Sequence, residues 1–299
     1  MKKLFSSIIV LLIATCSIFA QSGDFKTGSL LWRISGKDLA KPSYLFGTMH
    51  LKPGDFLMTV PGAKVALESS EQVVGEINMA NMAQLQMQIQ PAMMMPSGTT
   101  YKDFYSDEDY QFVSEQLASF VGVGLDQLGV LKPAAIQLTI AVMAYARYLP
   151  ELGGIEETLD VFIQAEATKN QKPVLELETA ESQIKVLFGS SLQRQADLLL
   201  CGLKNMEQQM ALVPQLINDY TQADLNAMYR QLRSDICPST DAEINALNRD
   251  RNVAWMKILP QMMKEKSSFI AVGALHLAGE DGLLNLLEKA GYKVEAVVQ

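Results

Sequence analysis

The chain is poor in histidine, cysteine and tryptophan, with two, three and two of each in 299 residues, and it has no surplus of positive charge. Each scarcity excludes something. Beyond the first twenty residues only Cys201 and Cys237 remain, too few and too far from the histidines in sequence for a zinc–thiolate site. The formal charge is −8, or about −10 without the two lysines at the N-terminus, which argues against nucleic-acid binding. Past the N-terminal segment no run of about eighteen uninterrupted apolar residues occurs, so no spanning helix is expected. The best stretch, Ala134 to Tyr145, contains Gln137 and Thr139 and reads as a buried helix. There is no GxSxG elbow, HExxH, Walker loop or GxGxxG.

What is there is concentrated at the histidines. Gly47-Thr48-Met49-His50 and Gly273-Ala274-Leu275-His276 end in the chain's two imidazoles. Each motif follows an apolar, strand-like run and precedes a leucine and a helix-like stretch. With 19 glycines in the chain, two such matches by composition alone have a chance of about 0.4%. Imidazole is the commonest neutral metal ligand and the usual proton shuttle near neutral pH. A chain that keeps histidine for these two places is expected to use it for chemistry, with Gly47 and Gly273 letting the backbone turn sharply.

Residues 1–20 read as a secretory signal: Lys2 and Lys3, an apolar stretch from Ser6 to Ile18, and Phe19-Ala20 before Gln21. Ile13-Ala14-Thr15-Cys16 is a poor lipobox, so membrane anchoring would require lipidation of Cys16. The mature chain, 21–299, is expected to be a single soluble domain, periplasmic or extracellular. In such a compartment Cys201 and Cys237 are expected to pair, the alternative being two buried free thiols.

The patterning predicts strands at Ser29–Ser35, Ser43–Gly47, Val73–Ile77, Pro173–Leu177, Ser268–Val272 and Tyr292–Val298. Between them lies a largely helical region, about 79–265, with Ser106 suited to cap one helix. The unit strand–GxxH–helix–strand occurs at both ends. The expected fold is therefore α/β, a central mixed sheet built from two related halves with a helical middle. Sites in such sheets gather beyond the carboxyl ends of strands, where both motifs fall.

Two histidines alone make a weak metal site, and carboxylates are the usual completion. Glu76, at the end of its strand among apolar residues, is the first candidate, with a structural salt bridge as the alternative. Glu176 and Glu178 share one face as a strand ends. One of them is expected in the crevice, and the other is free to cap the next helix. In Arg249-Asp250-Arg251-Asn252, an arginine is suited to bind a carboxylate, to stabilise an oxyanion or to form a structural ion pair. Six methionines between Met79 and Met95 suit a copper(I) site, an adaptable groove or a loosely packed helix and lid. Tyr101, Phe104, Tyr105 and Tyr110 read as core.

Taken in order and spacing, these segments resemble the TraB/PrgY/GumN family, related to the Tiki metalloproteases and more distantly to erythromycin esterase/ChaN-like proteins. The resemblance is carried by LWRIS at 31–35, YLFGTMH at 44–50, VGE at 74–76, KPVLELETAESQ at 172–183, RNVAW at 251–255 and VGALHLAGEDGLL at 272–284. It implies a divalent-metal site, manganese or cobalt being favoured and zinc also compatible. His50, His276 and Glu76 would be ligands, with Glu76 alternatively a general base. Glu178 would be a second crevice acid, and Arg251 and Asn252 would contact substrate or the transition state. Two departures stand out: Gly154-Ile155-Glu156 replaces a family Gly-Val/Ile-Asp, and Leu275 replaces a smaller residue in the second motif.

The expected function is an exported metal-dependent hydrolase acting on a peptide or protein. The alternatives are a non-catalytic protein that sequesters peptides or holds haem or iron, and an adaptor whose histidines are structural.

Overall fold

A computed structural model describes residues 26–79, 82–148, 157–231 and 236–298. The signal segment, Cys16 and Gly154-Ile155-Glu156 lie outside the described residues. The protein is mixed α/β, with one six-stranded sheet. Its strands are β1 (Leu31–Ser35), β2 (Ser43–Thr48), β3 (Gln72–Gly75), β4 (Val174–Glu176), β5 (Ser268–Gly273) and β6 (Lys293–Ala296). They lie in the order β4-β3-β5-β2-β1-β6. The four strands β4, β3, β5 and β2 are parallel, while β1 is antiparallel to both β2 and β6.

Burial follows this order. Central β3 and β5 are covered on both faces, and their Val73, Val74, Phe269, Ile270 and Val272 are inaccessible to solvent. That is why they read as unbroken apolar runs rather than alternating ones. β1 and β2 form the predicted hairpin, with Gly36 at its turn in the left-handed region that glycine adopts without strain.

The helices are α1 (Ala63–Ser69), α2 (Met82–Met93), α3 (Asp107–Val121), α4 (Leu125–Leu128), α5 (Pro133–Tyr148) and α6 (Leu159–Lys169). After β4 come α7 (Ala180–Phe188), α8 (Leu192–Lys204), α9 (Met206–Thr221), α10 (Leu225–Gln231), α11 (Asp241–Leu247), α12 (Arg249–Trp255) and α13 (Leu259–Glu265). Helix α14 (Leu283–Lys289) joins β5 to β6. Ser106 caps α3 by accepting the Asp109 amide at 3.1 Å, as the sequence predicts.

Both strand–GxxH–helix–strand units are present, and their first strands, β2 and β5, are parallel neighbours. The units diverge from there. From β2 the chain passes through α1 to β3, beyond β5; from β5 it passes through α14 to β6, beyond β2 and β1.

One hydrophobic cluster is centred on the sheet. A second lies in the helical middle, where Tyr101 and Tyr105 pack with Leu117, Ile136 and Leu199. Phe104 and Tyr110 pack partly buried against it, so all four aromatics are core or core margin. Helix α9 touches both regions: Tyr220 belongs to the sheet cluster, and Met210 and Val213 hold Phe120 of α3 and Leu51 of the first motif loop. Cys201 and Cys237 are joined by a disulfide. In the Met-rich segment, α2 runs through Pro91 to Met93, and Met87 and Met94 are exposed.

Candidate functional site

The parallel strands end on one edge, and the sequence-predicted acids and imidazoles follow them directly. Glu76 comes straight after β3, Glu178 shortly after β4, His50 in the turn that follows β2, and His276 at the end of a short 3-10 turn after β5. The site has a buried half and an exposed half.

Arg251, on α12, organises the buried half. Its Nη2 donates to Glu76 Oε2 at 2.5 Å and to Glu178 Oε1, and Nε donates to Glu178 Oε2 at 3.2 Å. Nη1 donates to the Leu247 carbonyl at 3.2 Å and lies 2.8 Å from His276 Nε2. All five guanidinium protons are thus spent inside the protein. A guanidinium has no acceptor, so His276 Nε2 must be the acceptor of that contact. The imidazole is therefore neutral, and its proton sits on Nδ1, which donates to Asn252 Oδ1 at 2.7 Å. Asn252 is fully buried, and its amide nitrogen donates to the carbonyls of His276 and Asp281, which fixes the direction of its oxygen. Burial pushes the His276 imidazole down to about 4, consistent with that neutral form. Burial alone would raise the Glu76 carboxyl, but the Arg251 guanidinium facing it and the Gly273 amide, at 2.8 Å, hold it below its ordinary value.

Three residues complete this half without having been read from the sequence. Gln183 of α7 donates to Glu76 and Glu178, both at 3.3 Å. Trp255 lies 4.5 Å from the His276 ring and 4.8 Å from the Arg251 guanidinium, centre to centre. Asn248 donates to the Leu275 carbonyl at 2.7 Å, so Leu275 is fixed by its backbone. Helical spacing was the available signal, since Asn248, Arg251, Asn252 and Trp255 repeat at three and four residues.

The exposed half is His50 and Asp160. The His50 side chain is 78% exposed, and Nδ1 lies 2.9 Å from Asp160 Oδ2. Asp160, in the first turn of α6, is mostly buried and accepts from Thr48 Oγ1 at 2.6 Å through its other oxygen. Oδ2 receives no hydrogen bond of good geometry from the described residues, and His50 Nδ1 lies against it. The carboxylate raises the His50 pKa above 6.5, against a smaller desolvation by nearby protein atoms and with help from Glu76. The backbone explains why Asp160 is here. Pro53 bridges Thr158, the Gly54 amide bonds the Glu157 carbonyl at 3.0 Å, and a Cβ on Gly54 would lie 2.3 Å from Phe162. Glycine thus lets the segment after the first motif seat on the start of α6. Residue order alone carries no such signal, because first-turn acids are common in helices for dipole reasons.

Several expectations are revised. Neither Gly47 nor Gly273 has a positive φ, so a sharp turn is not their role. They permit close approach: a Cβ on Gly47 would lie 3.1 Å from Ala274, and one on Gly273 would lie 3.4 Å from Glu76 Oε1. Glu178 enters the crevice, while Glu176 accepts the Asn78 amide at 3.1 Å. The cap of α7 is neither glutamate but Thr179, which accepts the Ser182 amide. Arg251 has no spare donor for substrate, and Asn252 orients His276 from within the protein.

The expected metal ligands fit poorly as arranged. Among the described residues, no three His, Cys, Asp or Glu side chains converge to hold an ion. His276 Nε2 accepts from a cation, both Glu76 oxygens are hydrogen-bonded, and His50 is paired elsewhere. The guanidinium takes the central position between His276 and the two glutamates.

Fold and site define a class: an α/β protein whose paired GxxH motifs and two strand-end glutamates share the carboxyl edge of one mixed sheet. The TraB/PrgY/gumN family model matches residues 30–296, and the chain belongs to that family. Comparison with curated proteins and with solved structures gives no match.

Proposed function

We propose that the chain is a hydrolase in which His50, oriented by Asp160, activates water. The observation that carries this is the exposed imidazole with a largely buried carboxylate against its Nδ1. That arrangement leaves Nε2 as the working nitrogen, and the carboxylate beside Nδ1 makes the ring a stronger base. His50 Nε2 takes the proton of the attacking water and returns it to the leaving group. The buried Arg251–Glu76–Glu178–His276 network holds the crevice wall in one geometry.

A peptide bond is the class supplied by the resemblance to the Tiki metalloproteases, a relation we propose rather than derive from family membership. The same resemblance suggests a divalent metal, but Arg251 occupies the donor set of His276, Glu76 and Glu178. Export is proposed from the signal-like N-terminus, and a disulfide supports an oxidising compartment. The saturated Arg251 network favours a second reading, a non-catalytic peptide-binding protein.

The test is mass spectrometry of a peptide library incubated with wild type and with His50→Ala, each with manganese, with cobalt and with EDTA. Cleavage lost in His50→Ala supports the hydrolase. Cleavage that survives in His50→Ala overturns His50 as the base. Loss in EDTA would bring a metal into the mechanism and require Arg251 to move. No cleavage in any arm leaves the peptide-binding reading.

A further inference from the structure

Lys52 lies two residues beyond His50, on the loop that ends the first motif. Its amide bonds the Met49 carbonyl at 3.0 Å, closing a turn with His50 and Leu51 at its centre. The turn is held to α9 on both sides. Leu51 packs against Met210 and Val213, and the Phe56 ring packs on Tyr220 at 5.5 Å, centre to centre. Tyr220 in turn donates to the Gly47 carbonyl at 2.8 Å, which returns the chain of contacts to the motif glycine. The Lys52 ammonium sits 4.8 Å from the centre of the Phe56 ring. It is fixed relative to His50 by the turn and by this aromatic pair.

Lys52 is half-buried, yet no carboxylate pairs with it among the described residues. A half-buried ammonium resting on an aromatic ring keeps unused donors and a partly stripped hydration shell, both of which favour direct contact with an anion. The other cation of the site, Arg251, has no donor left. An acidic chain with this lysine in the same turn as its exposed histidine has a built position for one negative group of a ligand.

We infer that Lys52 recognises a carboxylate of the substrate, so that the selected peptide carries an acidic side chain or a free C-terminal carboxylate close to the bond presented to His50. The inference rests on the proposed function for the bond cleaved, but not for the contact itself.

The contact is read first by NMR on the full chain labelled at histidine, whose two rings give two separable signals. Short acetylated peptides are added as the free acid, as the C-terminal amide, and as the amide with an internal Asp or its Asn counterpart. The His50 ring signal is expected to move with a carboxylate form and not with its neutral match, and Lys52→Met is expected to abolish the difference while Lys52→Arg keeps it. The free-acid and internal-Asp arms identify which carboxylate is read. Where peptides are cleaved, the carboxylate-to-neutral ratio of kcat/KM should fall about ten- to hundred-fold in Lys52→Met, the range of one hydrogen bond to a charged group. Equal response to charged and neutral forms in wild type, or an unchanged ratio in Lys52→Met, overturns the inference. Carboxylate-selective binding without cleavage of any peptide sustains Lys52 and removes the hydrolase.

Discussion

The two histidines end the same motif, and their neighbours shift their pKa values in opposite directions. His276 is buried and neutral, with its pKa pushed down to about 4 from 6.5. The unfolded chain takes up a proton in that interval and the folded one does not, so this residue makes stability fall as pH drops from 6.5 towards 4, by about 3 kcal/mol at most. His50 has the other sign. Its raised pKa contributes stability that is fully present below 6.5 and is lost as pH rises through the folded value. Titration of the two ring signals by NMR should therefore give midpoints on opposite sides of 6.5, and Asp160→Asn should move only the His50 midpoint, downward. Midpoints on the same side would refute this description of the site. Arg251→Met would leave Glu76 and Glu178 without their cation, and removing one partner of a buried ionic cluster costs about 3–5 kcal/mol. Urea unfolding measures it, and a loss below about 1 kcal/mol would show that the guanidinium is not the centre of the network.

At the scale of elements, the contact between the first motif loop and α6 sets the site. Gly54→Ala would put a methyl group against the Phe162 side chain, which overpacking makes destabilising by about 1–3 kcal/mol. Because α6 also carries Asp160, the variant should lower the His50 midpoint along with the melting temperature; a normal midpoint in a destabilised variant would separate the packing from the site. This contact also shows where sequence reasoning stopped. The strands and their strand-end residues, Glu76, Glu178 and the two histidines, were legible because apolar runs end abruptly in polar groups. Asp160 was not, since Thr48 and Asp160 meet across 112 positions and only backbone packing joins them. After β4, the helical middle expected over about 79–265 is not one continuous helix. It is broken into α7 to α13, at points set by local caps such as Thr179, Ser191 and Thr240, and by Asn248, which sits between α11 and α12 while holding Leu275 and Asn252.

At the scale of the molecule, the helical middle is tied together by the Cys201–Cys237 disulfide, which closes a segment of 36 positions. Replacing both cysteines by serine should cost about 2–4 kcal/mol in thermal unfolding, with reductant lowering the wild type by a similar amount and leaving the variant unmoved. An unchanged wild type under full reduction would contradict this. The sheet carries a less obvious consequence. β2 and β5 pair with Gly47 opposite Val272 and Thr48 opposite Gly273, so the two motifs run one residue out of step. One motif then closes in a loop at the surface and the other in a 3-10 turn beneath Trp255. An imidazole-acylating reagent meets only the first of them in the folded chain. A single modified residue, counted by mass, would thus report the state of His50 alone, and the appearance of a second would time the opening of the sheet edge over His276.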